Sequence, residues 1–187
     1  MSEEESKNFE RELKFACEEL SGLRETLVSR EAERISASAF EDNLVLDRNG
    51  ELEEAGCLLR LRSGNQRGAL LTFKGPAVYE DRVRIREEYE IETDDKEAML
   101  TILERIGFEV VTRYQKYREE WQLGAVTVAL DHTPIGDFAE FEGDGAERMA
   151  TRCGFDLENA ERRSYLRIYR DYREEHPEAP ADMVFPD

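Results

Sequence analysis

Apolar and polar positions along this chain fall mostly at period two, in short runs separated by turn residues. In residues 8–15, Phe9, Leu13 and Phe15 lie on one side and Glu10, Glu12 and Lys14 on the other, the alternation of a half-buried strand. Residues 57–63 set Leu59 and Leu61 against Arg60 and Arg62, and residues 69–75 set Leu71 and Phe73 against Thr72 and Lys74. Residues 82–92 put Val83, Ile85, Tyr89 and Ile91 opposite Arg84, Arg86, Glu88, Glu90 and Glu92, with Glu87 out of pattern. Turns are marked by Ser63-Gly64-Asn65 and Gly75-Pro76. Further strands are expected at about 33–40, within 41–56, in a hairpin of 109–121 and 124–131 turning near Leu123-Gly124, and at 137–143.

Helical spacing interrupts this pattern in a few places. Leu20, Leu23 and Leu27 recur at i, i+3 and i+7 within 17–30. A helix is predicted at 94–106, opened by Asp94 or Asp95 and closed at Gly107. Two more are predicted at 144–153 and 158–171. Residues 1–7 read as disordered, 8–172 as one domain, and 173–187, with Pro177, Pro180 and Pro186, as an irregular tail. A single domain suits 187 residues.

The polar faces carry the chemical information. An antiparallel sheet commonly turns one face to a core and a mixed polar face to water. Here the polar faces are dense in charge: two glutamates and a lysine on one strand, arginines and a lysine on the next, Lys116 and Arg118 on another, and Asp131, Glu140 and Glu142 on the last. Closing such a sheet into a barrel with the charged side inward gives a wet lumen that holds both carboxylates and cations. The apolar faces then point outward and need flanking helices to cover them. Carboxylates suit hard divalent cations such as Mg²⁺ and Mn²⁺. Arginine and lysine suit phosphate oxygens.

Composition narrows the partners. The net charge is −18 and 37% of residues are charged, so nucleic acid and anionic membranes are repelled. An anionic substrate needs a local basic cluster that works against this field. Cys17, Cys57 and Cys153 are too far apart for a C-x-x-C pair, which argues against a disulfide framework and a zinc site. The acidic start Met1-Ser2-Glu3-Glu4-Glu5 does not resemble a signal peptide, and a cytoplasmic location is expected.

At the level of ordered motifs the chain resembles the CYTH superfamily of triphosphate tunnel metalloenzymes, which includes class IV adenylate cyclases, thiamine triphosphatases and inorganic triphosphatases. Glu10-Arg11-Glu12-Leu13-Lys14 resembles its E-x-E-x-K signature, and Leu59-Arg60-Leu61-Arg62 its L-R-x-R strand. Leu71 to Pro76 resembles T-x-K-G-P, Arg86 to Glu90 resembles R-x-E-x-E, and Lys116-Tyr117-Arg118 resembles K-x-R. Asp131 with Gly136 to Gly143 resembles D-…-G-x-F-x-E-x-E, and Ser164-Tyr165 the S-Y of the closing helix. The second strand departs from the family pattern: Phe40 to Asp47 reads as an E-x-N-x-x-x-D variant.

The resemblance implies an α+β fold built on a closed eight-stranded antiparallel β-barrel, a tunnel with flanking helices, and it implies roles for these residues. Glu10, Glu12 and Glu142 would hold the main metal, Mg²⁺ or Mn²⁺, with Asp131 and Glu140 at a second metal or its waters. Lys14, Arg60, Arg62, Lys74, Arg86, Lys116 and Arg118 would hold the triphosphate. Lys14, with Glu10 and Glu12, would instead orient or activate the attacking group in a catalytic role. The bland readings remain: Glu10 and Glu12 as an exposed edge, Arg60 and Arg62 as partners for excess acid, Glu88 and Glu90 as counter-charges. Arg84 and Arg113 fit either lumen or surface, and Tyr165 either packing or ligand contact. The expected activity is metal-dependent hydrolysis of inorganic triphosphate, ATP or thiamine triphosphate. The alternatives are conversion of ATP to cyclic AMP and diphosphate, and a non-catalytic polyphosphate- or nucleotide-binding module. A homodimer is compatible with the resemblance, though no exposed apolar stripe in the sequence assigns an interface.

Overall fold

A computed structural model describes residues 9–64 and 68–186; the expectation for residues 1–7 and the Asn65 position of the first turn lie outside the described residues. The strands are β1 (Phe9–Cys17), β2 (Glu33–Asp47), β3 (Leu58–Gly64), β4 (Ala69–Lys74), β5 (Val78–Glu80), β6 (Val83–Thr93), β7 (Glu109–Leu123), β8 (Val126–Thr133) and β9 (Gly136–Glu142). The helices are α1 (Leu20–Ser29), α2 (Glu51–Glu54), α3 (Lys96–Arg105), α4 (Ala146–Arg152) and α5 (Tyr165–Glu175).

All strand neighbours are antiparallel and run β1-β9-β8-β7-β2-β3-β4-β6. Pairing of Phe9–Glu12 with Arg84–Glu87 joins β6 back to β1, so eight strands close into a ring. The closed eight-stranded architecture implied by the resemblance is therefore present. The short β5 extends the β4 edge of β6.

Period-two alternation decides which residues line the ring. Across β1 and β9, Glu12 faces Glu142 and Lys14 faces Glu140, while Leu13 faces Phe141. The first two pairs point into the lumen. The third points out, because directly paired residues share a sheet face. The apolar core consequently lies outside the ring. Leu13, Phe15, Val128 and Phe141 pack beneath Leu23 and Leu27 of α1 and Ala146, Met149 and Ala150 of α4. Leu46, Leu59 and Leu61 pack beneath Leu103 of α3. Trp121 joins the first of these clusters and is 6% exposed.

Three elements differ from the pattern-based expectation. Residues 33–47 form one long strand instead of a strand at about 33–40 and a second short strand within 41–56, because β2 pairs with β7 over almost its whole length. The helix expected at 158–171 begins only at Tyr165. The Ser164 side chain accepts the backbone N–H of Arg167 and sets the start, and residues 157–159 form a separate 3₁₀ turn. The tail docks instead of trailing. β8 pairs with β7 only from Tyr117 onward, so the preceding edge of β7 is open. There the N–H of Gln115 donates to the Met183 carbonyl (2.8 Å) and the N–H of Met183 to that of Arg113 (3.1 Å). Tyr169 on α5 donates its hydroxyl to the carbonyls of Pro180 (2.8 Å) and Asp182 (3.0 Å). This strap holds α5 across one end of the ring.

Candidate active site

The lumen is a cavity of about 210 Å³ lined by eight cationic and seven carboxylate side chains. That near balance differs sharply from the −18 of the whole chain, and makes the lumen the place where an anion meets the least repulsion. Of the sequence-predicted residues, Glu10, Glu12, Lys14, Arg60, Arg62 and Lys74 line it, as do Arg86, Lys116, Arg118, Glu140 and Glu142. Asp131 does not. It is fully buried behind the lining. Arg84, Glu88 and Glu90, left open by the sequence, also face the lumen, whereas Arg113 sits outside on Asp42 (2.6 Å).

The carboxylates form two groups. Glu10 and Glu12 alternate along β1, and Glu142 ends β9 directly beside Glu12. One oxygen from each of the three lies within 4.8 Å of the others. Gly143 permits the tight exit of the chain after this residue: its φ is +111°, and a Cβ there would stand 3.0 Å from the Ala125 carbonyl oxygen. Lys74 pairs with Glu10 at 2.5 Å and with Glu88 at 3.2 Å, and Arg84 pairs with Glu12 at 2.7 Å. Among the described residues Glu142 has only Arg118, at 3.5 Å. Burial, opposed by Arg118 and reinforced by Glu140, Glu10 and Glu12, pushes the Glu142 carboxyl up to about 8. Burial also pushes Glu88 up, to about 7, against Lys74. For Glu10 burial is outweighed by Lys74, and its carboxyl lies below the ordinary range.

The second group is saturated with cations. Asp131 accepts from Lys116 (3.0 Å), from Arg118 through two nitrogens (2.8 and 2.7 Å) and from the Tyr165 hydroxyl (2.7 Å). Glu140 takes Arg118 and, at 3.3 Å, Lys14. Both are fully buried, yet the adjacent cations outweigh burial and hold both carboxyls below the usual range. Tyr165 ties this group together from α5: the Lys14 ammonium lies 4.2 Å from its ring centroid and that of Lys116 5.4 Å.

The basic wall lies on β3, β4, β6 and β7. Arg60 donates to the Tyr114 hydroxyl (3.1 Å) and to Thr72 (3.2 Å). Arg62 and Lys116 converge on Glu41, at 3.0 and 3.7 Å. Glu41 escaped the sequence reading. The signal was its place two residues from Asn43, which pairs with both Arg62 and Tyr114. Asn43 is fully buried, and among the described residues neither end of its amide has a partner. Leaving such groups unsatisfied costs about 1–3 kcal/mol each.

An all-carboxylate donor set suits a hard divalent cation. Lys74 and Arg84 serve Glu10 and Glu12, but Glu142 has only the longer contact to Arg118, and there the group is short of positive charge. The Glu10, Glu12 and Glu142 set therefore fits Mg²⁺ or Mn²⁺.

A ring of eight antiparallel strands with charge inside and helices outside defines a class of fold, and comparison with known proteins places this chain in it. The CYTH domain family model matches residues 8–168, so the chain belongs to the CYTH domain family. A Methanocaldococcus jannaschii protein provisionally named an adenylate cyclase is 30% identical over 99 residues, 52% of this chain and 54% of that protein. The chain thus matches about half the length of this relative. A Vibrio parahaemolyticus structure, also provisionally named an adenylate cyclase, superposes with a TM-score of 0.74 at 24% identity, over 87% of this chain and 98% of the other. A Hippeastrum protein, described as an adenylyl cyclase candidate with a dominant triphosphatase activity, gives 0.67 at 18% identity over 87% and 96%. Among the described residues no helix is long and apolar enough to cross a membrane.

Proposed function

We propose that this protein is a divalent-metal-dependent phosphohydrolase that cleaves a triphosphate inside the ring. The observation that carries the reading is the shared lumen: three carboxylates with oxygens within 4.8 Å of one another face a wall holding Arg60, Arg62, Lys74 and Arg86. Glu10, Glu12 and Glu142 would hold Mg²⁺ or Mn²⁺, which when bound neutralises charge on phosphate oxygens and orients them. The chain's own groups do the remaining work. Arg60, Arg62, Lys74, Arg86, Lys116 and Arg118 bind and align the phosphates, some by exchanging their present carboxylate partners for phosphate oxygens. Lys14, held by Glu140, the Arg163 carbonyl (3.3 Å) and the Tyr165 ring, presents a fixed ammonium to the reacting end. Asp131 positions Lys116 and Arg118. A water oxygen bonds to the terminal phosphorus, the bridging P–O bond breaks, and diphosphate leaves as the water proton passes to a lumen carboxylate.

The names of the archaeal and Vibrio relatives favour a second reading, cyclisation of ATP. There the ribose 3′-hydroxyl bonds to the α-phosphorus and diphosphate leaves. The deciding experiment is product analysis with Mg²⁺ or Mn²⁺, offering inorganic triphosphate and ATP separately. Phosphate release is expected. Cyclic AMP with diphosphate would replace the first reading by the second. Tight triphosphate binding without turnover of either would leave a non-catalytic binding module.

A further inference from the structure

A second cavity of about 480 Å³ adjoins the lumen at the end covered by α5. Leu58, Arg84, Arg86, Ser164 and Leu166 line both spaces, so the two meet along these side chains. The outer wall of the second cavity carries Arg167, Arg170 and Arg173, which recur every third residue and so share one face of α5.

With Arg84 and Arg86, five guanidiniums surround a space whose lining includes two carboxylates, Asp47 and Glu53. Asp47 is spent locally, because its oxygens accept the backbone N–H groups of Arg48 (2.6 Å), Leu52 (3.0 Å) and Glu53 (3.0 Å). Glu53 takes Arg170 at 2.7 Å, and Arg167 takes Asp171 at 3.1 Å. Both pairs are solvent-exposed, and exposed pairs are weak enough to exchange for a better anion. Arg86 is different. It is 7% exposed and donates to the carbonyls of Gly75 (2.6 Å), Gly56 (3.2 Å) and Lys74 (3.2 Å), not to a carboxylate. A buried cation whose hydrogen bonds, among the described residues, all go to neutral carbonyls, with Glu10 and Glu12 acting on it only through space, is costly unless an anion joins it. This cation stands where the two cavities meet. The wall also has an apolar part, Leu58, Leu166 and Tyr169, which can seat a linker as well as the arginine stems. In a chain of net charge −18, such a concentration of arginine calls for an anionic ligand.

We propose that the second cavity is an anion subsite continuous with the lumen, which takes a negatively charged extension of the substrate beyond its third phosphorus. The inference rests on the triphosphate reading of the lumen. The shared chemistry is a further phosphate, carried either on a longer linear phosphate chain or on the organic group of an organic triphosphate.

The test compares binding of four probes with Mg²⁺ present, by titration calorimetry with product release followed in parallel: inorganic triphosphate, inorganic tetraphosphate, ATP, and ATP bearing a 3′-phosphate. The parent is set against the Arg170→Ala/Arg173→Ala double variant and against Arg173→Ala alone, which keeps the Arg170–Glu53 pair. In the parent, tetraphosphate or the 3′-phosphorylated ATP is expected to bind at least about tenfold more tightly than its shorter counterpart, the scale of one charge-assisted contact. Whichever of the two shows the gain identifies the source of the extra phosphate. The double variant is expected to erase that gain and to hold triphosphate affinity within about twofold, as for independent sites. Equal binding of long and short probes in the parent overturns the inference and leaves the lumen reading standing. An equal loss for triphosphate in the double variant also overturns it, because the arginine row would then serve the whole tunnel. A parent that binds none of the four probes brings down the lumen reading and this inference together.

Discussion

Two carboxylate groups stand on neighbouring strands of this ring, and Glu142 of one is in the opposite electrostatic state from Asp131 and Glu140 of the other. Asp131 and Glu140 are fully buried, yet every approach to them is filled by Arg118, Lys116, Lys14 or the Tyr165 hydroxyl. Glu10, Glu12 and Glu142 crowd within 4.8 Å of one another; Lys74 and Arg84 serve the first two, and among the described residues Glu142 has one cation, at 3.5 Å. The same residue type on adjacent strands thus serves two ends. Where cations already saturate the oxygens, a carboxylate fixes the geometry of those cations. Where like charges converge with too few partners, the site retains capacity for a cation from outside. Burial alone does not separate the two groups; the count and distance of opposite charges does.

The largest effect that would break this contrast concerns the saturated group. Asp131→Asn leaves Arg118 and Lys116 buried without their main counter-charge. Loss of one partner of a buried pair costs about 3–5 kcal/mol. Denaturant unfolding of the metal-free protein should show a loss of that order. A loss under about 1 kcal/mol would mean that Asp131 is not the structural anchor described here.

The next effect concerns the crowded group, and its sign differs. Glu142→Gln replaces a carboxyl whose ionised form Glu10, Glu12 and Glu140 disfavour with a permanently neutral amide. Metal-free stability should hold or rise, while metal-dependent turnover should fall by about 100-fold or more, as expected when a ligand or its close support is lost. Turnover equal to the parent's at saturating Mg²⁺ would remove Glu142 from the metal set.

The smallest effect sharpens the comparison through pH. The folded Glu142 carboxyl, at about 8, lies above its unfolded value near 4.3. Stability from this group is therefore complete below the unfolded value and is lost as pH rises towards about 8. Asp131 and Glu140 are shifted down, so their contribution is present above the unfolded value and is lost only in acid. Without metal, the melting temperature should fall by a few degrees between about pH 6 and about pH 9, since 1 kcal/mol moves a domain of this size by about 2–4 °C. Added Mg²⁺ should raise it more at the higher pH, where Glu142 has given up its proton. A metal-free melting temperature flat across that range would show that Glu142 is not crowded.

Much of the site was legible because a strand's period is two. Once Leu13 and Phe15 are committed to an apolar face, Glu10, Glu12 and Lys14 have no choice but the other, and the same holds for Arg60 with Arg62 and for Glu140 with Glu142. Helix α3 was placed closely for a local reason: the Asp95 side chain accepts the N–H of Ala98, a cap readable from sequence. Helix α5 was misplaced because residues 158–164 keep a helical polarity pattern, and only the Ser164 cap and the separate 3₁₀ turn cut it short. Arg84 stayed undecided because arginine is at home on either face until β6 closes against β1.

Local order in the chain determined which side chains share a face and which chemistry those faces hold: carboxylates for a cation, guanidiniums and ammoniums for phosphate. Closure of the ring decided the rest. It set Glu142 beside Glu12 across more than a hundred residues of chain. It drew Asp131 behind the lining, and it laid the arginines of α5 against Arg86 at the end of the lumen. Side-chain direction follows from backbone geometry within a few residues. Distances between charges on different strands depend on register and on the docking of α5 and the tail, which only long-range pairing supplies.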